Sequence, residues 1–212
     1  MLYFWKRNIS RKYTAIIFIR LVNGMNVYDF DNTIYKGESV VDFFLYFLKR
    51  DPSLLKYFPK VIKAVVKYKA RKITIDDAMS EYGVMVENYC GSVDNLDFHI
   101  KNFWDENIKK IKPFYYEIRK EDDVILSAGF DVVLAEMGRR MDIRNIISSE
   151  TDFENAKILS LCFRENKVKA FREKYPDAQI DNFYTDSLND QPIIDIAKNA
   201  YLVKGNKITK IK

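Results

Sequence analysis

Four carboxylates stand at or just after places where a buried strand is predicted to end. They are Asp29, Asp31, Asp186 and Asp190. Ser127 follows another such strand, and Lys167 opens a helix that lies between them in the chain. Ligands of a doubly wound parallel sheet bind beyond the carboxyl ends of its strands, so we expect these side chains to meet in one crevice. Converging carboxylates repel one another unless a cation lies among them, and oxygen ligands without His or Cys indicate Mg²⁺.

The spacing of Asp29 and Asp31 has a mechanical reason. In an extended chain, side chains two residues apart point to the same side, so both carboxylates face the crevice. One of them can attack phosphorus while the other handles the proton of the leaving group. A carboxylate nucleophile that forms an aspartyl-phosphate is established chemistry. Lys167 and the hydroxyl of Ser127 could then complement a phosphate beside the metal.

Short apolar runs predict the strands that position these residues. The predicted strands cover 26–30, 124–128, 145–148, 180–185 and 201–203, and 207–210 is expected to form an edge hairpin. Helices are predicted over 132–140, 166–174 and 192–198. Strands that alternate with helices indicate a parallel sheet with helices on both faces. The expected fold class is therefore α/β, with a doubly wound, mostly parallel, Rossmann-like sheet.

The region from residue 37 to residue 113 shows no strand pattern. An apolar helix is predicted over 40–48, another begins at Asp51-Pro52, and two more cover 74–89 and 94–111. We expect an all-helical cap over 37–113, inserted into a core made of 25–36 and 114–212. Residues 1–24 are expected to be an extension of unassigned role, because their apolar run is too short for a signal peptide or a membrane span. Met25 is an alternative start of translation.

Composition narrows the chemistry that is open to this chain. Hydrophobic residues make up 48% of the 212 residues, enough for a sizeable core. Seven Gly and five Pro are about half the average share, which argues against turn-rich all-β folds. The one His, His99, excludes His-clustered metal sites. Cys90 and Cys162 form no CxxC pair, so a zinc ribbon is not expected, and two free thiols fit a reducing cytoplasm.

The net charge of +5 is mild, but it is unevenly distributed. Nine basic residues and one acid lie between Lys49 and Lys72. General nucleic-acid binders are usually basic throughout, so no nucleic-acid partner is expected. Four lysines in this stretch recur at helical spacing: Lys56, Lys60, Lys63 and Lys67. This basic cap helix could be a solvated face, a surface that attracts an anionic substrate, or a weak contact with lipid headgroups.

Four short motifs contain the residues that could do chemistry. They are Asp29-Phe30-Asp31-Asn32-Thr33, Leu126-Ser127-Ala128, Asn166-Lys167-Val168-Lys169 and Thr185-Asp186-Ser187-Leu188-Asn189-Asp190. Together, and in this order, they resemble the four motifs of the haloacid-dehalogenase-like (HAD) hydrolase superfamily. The third resembles the lysine motif of the phosphoserine-phosphatase-like branch, whose members carry a helical cap. The likeness spans about residues 25 to 203.

The resemblance implies a Mg²⁺-dependent phosphatase that hydrolyses a small phosphate monoester through an aspartyl-phosphate. Asp29 would be the nucleophile, and Asp31 would be the general acid and then the general base. Thr33 would orient Asp31, and Ser127 would hydrogen-bond a phosphoryl oxygen. Lys167 would neutralise charge on the phosphate and on the nucleophile. The implied metal ligands are Asp29, Asp31, Asp186 and Asp190.

Departures from the family pattern concern the substrate. The fourth motif reads TDSLND rather than the Gly-Asp-Gly form of true phosphoserine phosphatases, which weakens phosphoserine as the substrate. Glu38 stands where that branch often has a substrate-contacting Glu, and it could equally cap the helix that follows. Lys169 competes with Lys167 for the lysine role. Two rival functions are a lipid-phosphate phosphatase at the membrane surface and a non-catalytic protein that binds a phosphorylated ligand.

Overall fold

One seven-stranded sheet organises the molecule. The structure is a computed structural model that describes residues 25–57, 59, 60, 63, 67, 93–152, 155 and 157–212. The strands are β1 (Met25–Tyr28), β2 (Val124–Phe130), β3 (Ile146–Asp152), β4 (Lys157–Ser160), β5 (Ile180–Thr185), β6 (Ala197–Lys204) and β7 (Lys207–Lys210). Their order in the sheet is β4-β3-β2-β1-β5-β6-β7. Neighbours from β3 to β6 pair in parallel, and β4 and β7 add antiparallel edges. The predicted α/β fold with a mostly parallel sheet is confirmed.

Helices connect the strands. The helices whose bounds the structure describes are α1 (Ser39–Leu48), α2 (Leu96–Asn107), α3 (Pro113–Ile118), α4 (Asp131–Met141), α5 (Glu165–Lys174) and α6 (Gln191–Ile196). Short 3₁₀ turns cover Pro52–Tyr57, Ile108–Lys110 and Leu188–Asp190. Within the part of the chain that the structure describes, no helix is long and apolar enough to cross a membrane.

The chain order places a crevice at the carboxyl end of β1. β1 lies in the middle of the sheet, β2 and β3 are added on one side, and β5 and β6 on the other. The connections on the two sides of β1 therefore diverge. In open α/β sheets, ligands bind in the crevice that this reversal leaves.

Hydrophobic clusters cover both faces of the sheet, because adjacent residues of a strand point to opposite faces. Tyr28 of β1 belongs to one cluster and Val27 to the other. Ile125 and Leu126 of β2 divide in the same way. The Tyr28 cluster takes in residues of α1, α2 and α4, and the Val27 cluster takes in residues of α5 and α6. Two packed layers thus fix the strand ends on which the site is built.

Helices α1 and α2 belong to the segment that the sequence predicts as a cap. The rings of Phe43 in α1 and Phe103 in α2 pack edge to face, with centroids 5.1 Å apart. Trp104 Nε1 of α2 donates to the carbonyl oxygen of Val133 in α4 at 2.7 Å. The two helices therefore share one hydrophobic cluster with α4. The helix predicted at 74–89, Cys90 and the extension 1–24 lie outside the described residues, and the division into core and cap stays a prediction.

Four elements differ from the sequence predictions. Strand β4 was not predicted, because its four residues are mostly exposed and show no alternation of polar and apolar positions. The helix predicted to reach 198 ends at Ile196, since Ala197 already pairs with Ile180 as the first residue of β6. Asp51-Pro52, where a helix is predicted to begin, opens a 3₁₀ turn that ends at Tyr57. The short helix α3, which begins at Pro113, was not predicted.

Candidate active site

The loop that follows β1 holds the first two carboxylates. The N–H of Asp29 donates to the carbonyl oxygen of Tyr184 in β5 at 2.9 Å, which extends the pairing by one residue. Phe30, between the two acids, is fully buried in the aromatic cluster. Asn32 then takes a left-handed backbone conformation, φ 58°, which turns the loop. With Phe30 anchored in the core, Asp29 and Asp31 both line a cavity of about 370 Å³.

This site cavity lies at the carboxyl edge of the sheet. Its lining combines five acidic and two basic side chains with four others: Asp29, Asp31, Glu38, Asp186, Asp190, Lys167, Arg164, Ala128, Phe163, Ser187 and Asn189. The four aspartates of the predicted metal site, together with Lys167 and Glu38, thus come together. A larger cavity of about 860 Å³ lies between β3, β4 and α5, and its lining contains none of the predicted site residues.

Lys167 is the buried cation of the site. It lies in the first turn of α5, and its Nζ is 2.6 Å from Asp29 Oδ1 and 3.0 Å from Asp190 Oδ1. Thr185, at the end of β5, donates its hydroxyl to Asp190 Oδ2 at 2.8 Å. Asp190 thus holds the ammonium group against Asp29. The competing Lys169 is exposed and lines the larger cavity, so the geometry selects Lys167.

Thr33 contacts a different carboxylate from the one expected. Its hydroxyl donates to Asp29 Oδ2 at 3.1 Å, so the predicted orientation of Asp31 by Thr33 is wrong. The cause is the turn after β1: the N–H groups of residues 33, 34 and 35 all donate to the Phe30 carbonyl oxygen, which brings the buried Thr33 back over the strand end. Asp31 Oδ1 is held instead by the backbone N–H of Ser39, at 2.6 Å, where α1 begins.

Glu38 was predicted either to contact the substrate or to cap α1. It occupies the N-cap position, but its side chain makes no capping hydrogen bond. Its Oε1 accepts a hydrogen bond from Asn32 Nδ2 at 2.8 Å, and the residue lines the site cavity. The geometry therefore favours a role toward the cavity.

Ser127 lies beside the cavity rather than in its lining. It is fully buried in β2, and its Oγ accepts the N–H of Gly129 at 2.9 Å. A Cβ on Gly129 would come 3.2 Å from that oxygen, a tight contact that the neighbouring side chains would have to relieve by a small shift. The adjacent Ala128 lines the cavity. The hydrogen bond from Gly129 uses a lone pair of the Ser127 hydroxyl, and the contact of that hydroxyl with a phosphoryl oxygen stays a prediction.

Burial raises the pKa of three aspartates of the site, Asp29, Asp31 and Asp186. It raises the pKa of Asp31 to about 7, although the hydrogen bond from Ser39 acts in the opposite direction. Burial also raises the pKa of Asp29, against the attraction of Lys167, and that of Asp186. Burial disfavours the charge of Lys167, but Asp29 and Asp190 outweigh it and raise the pKa of the ammonium group. A buried site with more carboxylates than cations gains from a further positive charge.

The donor set fits a hard divalent cation. Asp29, Asp31 and Asp186 bring carboxylates to one cavity, whose described lining contains no His or Cys. Among the residues that the structure describes, no three Asp, Glu, His or Cys side chains are arranged closely enough to coordinate a metal ion. The contacts of Asp190 are with Lys167 and Thr185, and its part in binding a metal stays a prediction.

Arg164 is a cavity residue that sequence reasoning missed. It follows Phe163 in a turn that the N–H of Asn166 closes on the Phe163 carbonyl oxygen at 3.0 Å. Its backbone angles, φ 46° and ψ −118°, are those of the second residue in a type II′ turn, where glycine dominates. Holding another residue there costs of order 1–3 kcal/mol. The backbone conformation is the signal that marks Arg164, and it appears only in the structure.

The fold and the site together define a class of enzyme. A doubly wound sheet carries an Asp-x-Asp pair and a buried lysine at its switch point, which is the arrangement expected of HAD-like hydrolases. Residues 27–195 match the family described as haloacid dehalogenase-like hydrolase, and the chain belongs to that family. No curated protein matches the sequence.

Solved structures share the fold at low sequence identity. A protein of unknown function from Bordetella pertussis Tohama I is 15% identical, with a TM-score of 0.65 over 84% of this chain and 88% of its own. A phosphoserine phosphohydrolase-like protein from Francisella tularensis subsp. tularensis SCHU S4 is 17% identical, with a TM-score of 0.62 over 87% and 88%. A HAD family hydrolase from Salmonella enterica serovar Typhi is 14% identical, with a TM-score of 0.56 over 82% of this chain and 60% of its own.

Proposed function

We propose that this protein is a Mg²⁺-dependent phosphatase that hydrolyses a phosphate monoester through an aspartyl-phosphate on Asp29. The observation that carries the proposal is the 2.6 Å contact between Lys167 Nζ and Asp29 Oδ1 in a cavity that Asp31 also lines. A carboxylate must be ionised to attack, and the lysine opposes the effect of burial. Membership in a hydrolase family and the likeness to a phosphoserine phosphohydrolase-like protein support this reading.

In the first step, an oxygen of Asp29 attacks the phosphorus, and the bond from phosphorus to the leaving-group oxygen breaks. Asp31 gives its proton to that oxygen. Burial raises the pKa of Asp31 to about 7, which favours the protonated form that this step needs. The hydrogen bond from the N–H of Ser39 fixes the carboxyl group that must make the transfer.

In the second step, a water molecule attacks the phosphorus and the bond between phosphorus and the Asp29 oxygen breaks. Asp31, now ionised, takes the proton of the water, so that phosphate leaves and both carboxyl groups return to their starting states. Lys167 keeps its positive charge beside the reacting oxygens throughout, and Asp190 and Thr185 keep it in place.

Asp29 and Asp186 would hold Mg²⁺ through their carboxylates, and Asp31 would do so through its backbone carbonyl oxygen. The bound ion supplies positive charge for the phosphoryl oxygens. This role agrees with the excess of buried acids over cations in the site cavity. Full activity in excess EDTA would contradict the proposed metal dependence.

The rival function on the same fold is binding of a phosphorylated ligand without turnover. A pure binding site has no use for the buried carboxylate of Asp29 where a phosphate would lie, because the two groups repel each other. A nucleophile must stand at that place, and this argument favours hydrolysis.

Asp29→Asn tests the proposal. The amide keeps the shape of the side chain but cannot attack phosphorus, and we expect phosphate release from p-nitrophenyl phosphate to fall about a thousandfold or more. The melting temperature is measured alongside to show that the variant is folded. Asp142→Asn, at an exposed aspartate that ends α4, is the matched control and should keep the wild-type rate. A wild-type rate in Asp29→Asn would remove Asp29 as the nucleophile. If the wild-type protein itself binds a phosphorylated ligand but does not hydrolyse it, the rival function is favoured.

A further inference from the structure

A second basic residue lines the site cavity, and the proposed hydrolysis does not use it. That residue is Arg164, which lines the cavity together with Lys167. The Arg164 side chain is half-buried, and its Cζ lies 5.3 Å from the centroid of the Phe163 ring, another part of the lining. A guanidinium group presents a planar fork of donors that matches the oxygens of a carboxylate or a phosphate.

The backbone indicates that Arg164 is kept at this position against its conformational preference. Glycine would occupy the second residue of this type II′ turn without strain. The carbonyl oxygen of Arg164 accepts the N–H of Lys167 at 3.0 Å, so one turn places both cations. Residues held in sparsely populated conformations cluster at functional sites, where the function of the side chain offsets the free-energy cost of the backbone conformation.

We propose that Arg164 determines specificity by binding a second anionic group of the substrate, a carboxylate or a second phosphate, beside the phosphoryl group that is cleaved. The inference rests on the proposed phosphatase function and names its substrate class. The charge of the described lining supports it, because five acidic side chains would repel such a group. In that lining, Arg164 is the basic side chain besides Lys167.

The test compares three phosphate esters in the presence of Mg²⁺. p-Nitrophenyl phosphate has the scissile phosphate as its anionic group, phosphoglycolate adds a carboxylate, and fructose bisphosphate adds a second phosphate. Arg164→Gly should lower kcat/KM on a two-anion substrate about tenfold more than on p-nitrophenyl phosphate, chiefly through KM. Arg164→Lys should recover part of that loss. The substrate with the larger selective loss identifies the second group as carboxylate or phosphate.

Stability separates this role from a structural one. Arg164→Gly relieves the strained turn, so its melting temperature should equal or exceed that of the wild type while selectivity falls. Asp142→Gly is the matched control, since Asp142 is another non-glycine residue with a positive φ, 52°, and lies outside the cavity lining. It should leave selectivity unchanged. Equal losses on all three esters, or none, would overturn the inference with the hydrolysis intact. Absence of turnover by the wild type would overturn the proposed function and this inference with it.

Discussion

Two buried aspartates lie at opposite ends of neighbouring strands in the sheet. Asp29 follows β1 at the carboxyl end and is 7% exposed, and Asp123 precedes β2 at the amino end and is 3% exposed. Burial raises the pKa of both side chains. Asp29 meets the ammonium group of Lys167 at 2.6 Å. Asp123 Oδ2 accepts the N–H of Lys120 at 2.7 Å, and its Oδ1 is buried without a hydrogen bond of normal geometry.

The surroundings of Asp123 are aromatic. The Tyr28 ring stacks on Tyr184 with centroids 4.7 Å apart and meets the edge of Tyr115 at 5.1 Å. The Tyr28 hydroxyl is buried without a normal hydrogen bond, and burial, followed by the nearby Asp123, raises its pKa. Burial raises the pKa of Asp123, whereas Asp29, whose pKa burial also raises, lies against the ammonium group of Lys167. Both carboxyl groups are buried, so in the proposed mechanism the contact with Lys167 is what distinguishes the nucleophile Asp29 from Asp123.

Replacing Lys167 with an uncharged residue should leave Asp29 without a cation in contact with it. Lys167→Met leaves Asp29 and Asp190 buried beside each other without a positive charge. We expect activity to fall about a thousandfold and the free energy of unfolding to fall by about 3–5 kcal/mol, measured by urea denaturation at neutral pH. Adding Asp190→Asn to this variant removes one of the two charges and should restore part of the stability. A Lys167→Met protein as stable as the wild type would contradict the electrostatic role of the lysine.

Removing the hydrogen bond that holds Asp190 against Lys167 should have a smaller effect than removing Lys167. Thr185→Val keeps the shape of the side chain but removes the donor to Asp190 Oδ2. We expect kcat to fall about tenfold with little change in KM, and stability to fall by about 1–3 kcal/mol. Thr209→Val, at an exposed threonine of β7, is the control and should change neither. An unchanged kcat in Thr185→Val would show that Lys167 needs no support from β5.

At the other end of the sheet, Asp123→Asn should leave kcat unchanged. Because the pKa of Asp123 is raised in the folded protein, the folded state binds its proton more tightly than the unfolded chain does. That contribution to stability is complete below about pH 4 and is lost as the pH rises through the folded pKa. Asn does not titrate, so the variant does not lose stability in this way as the pH rises. The difference in free energy of unfolding, variant minus wild type, should therefore increase with pH. Urea denaturation at acidic and neutral pH measures the difference, and a difference that does not change with pH would contradict this account.

The smallest effect is expected at two exposed lysines. Lys60 and Lys63 of the basic cap helix are exposed and helical. Exposed charges are screened over about 10 Å at 0.1 M salt, so Lys60→Gln with Lys63→Gln should change kcat/KM by less than about twofold. The double variant and the wild type should sediment equally with anionic liposomes. A higher KM that salt abolishes would identify a surface that guides the substrate. Lost sedimentation would instead favour the lipid-phosphate rival.

The strand-end residues could be predicted because the sequence pattern and the topology rule act together. Short apolar runs mark β1, β2 and β5, and polar residues at the ends of parallel strands meet at one edge. The partner of Thr33 could not be predicted, because the hydrogen bonds of the turn to the Phe30 carbonyl oxygen decide where its hydroxyl goes. Arg164 was missed because an arginine carries no sequence sign of a positive φ. Strand β4 is too short and too exposed to show a period.

Phosphorylation of Asp29 is the central claim, and trapping it is the most direct measurement. Asp31→Asn removes the base of the second step, so an aspartyl-phosphate should accumulate when this variant turns over p-nitrophenyl phosphate with Mg²⁺. After an acid quench, mass spectrometry of the peptide that contains residues 29 and 31 should show one added phosphoryl group on Asp29. The Asp29→Asn/Asp31→Asn double variant should show none. Hydrolysis by the wild type with no phosphoryl group on this peptide, or with one on another residue, would contradict the account.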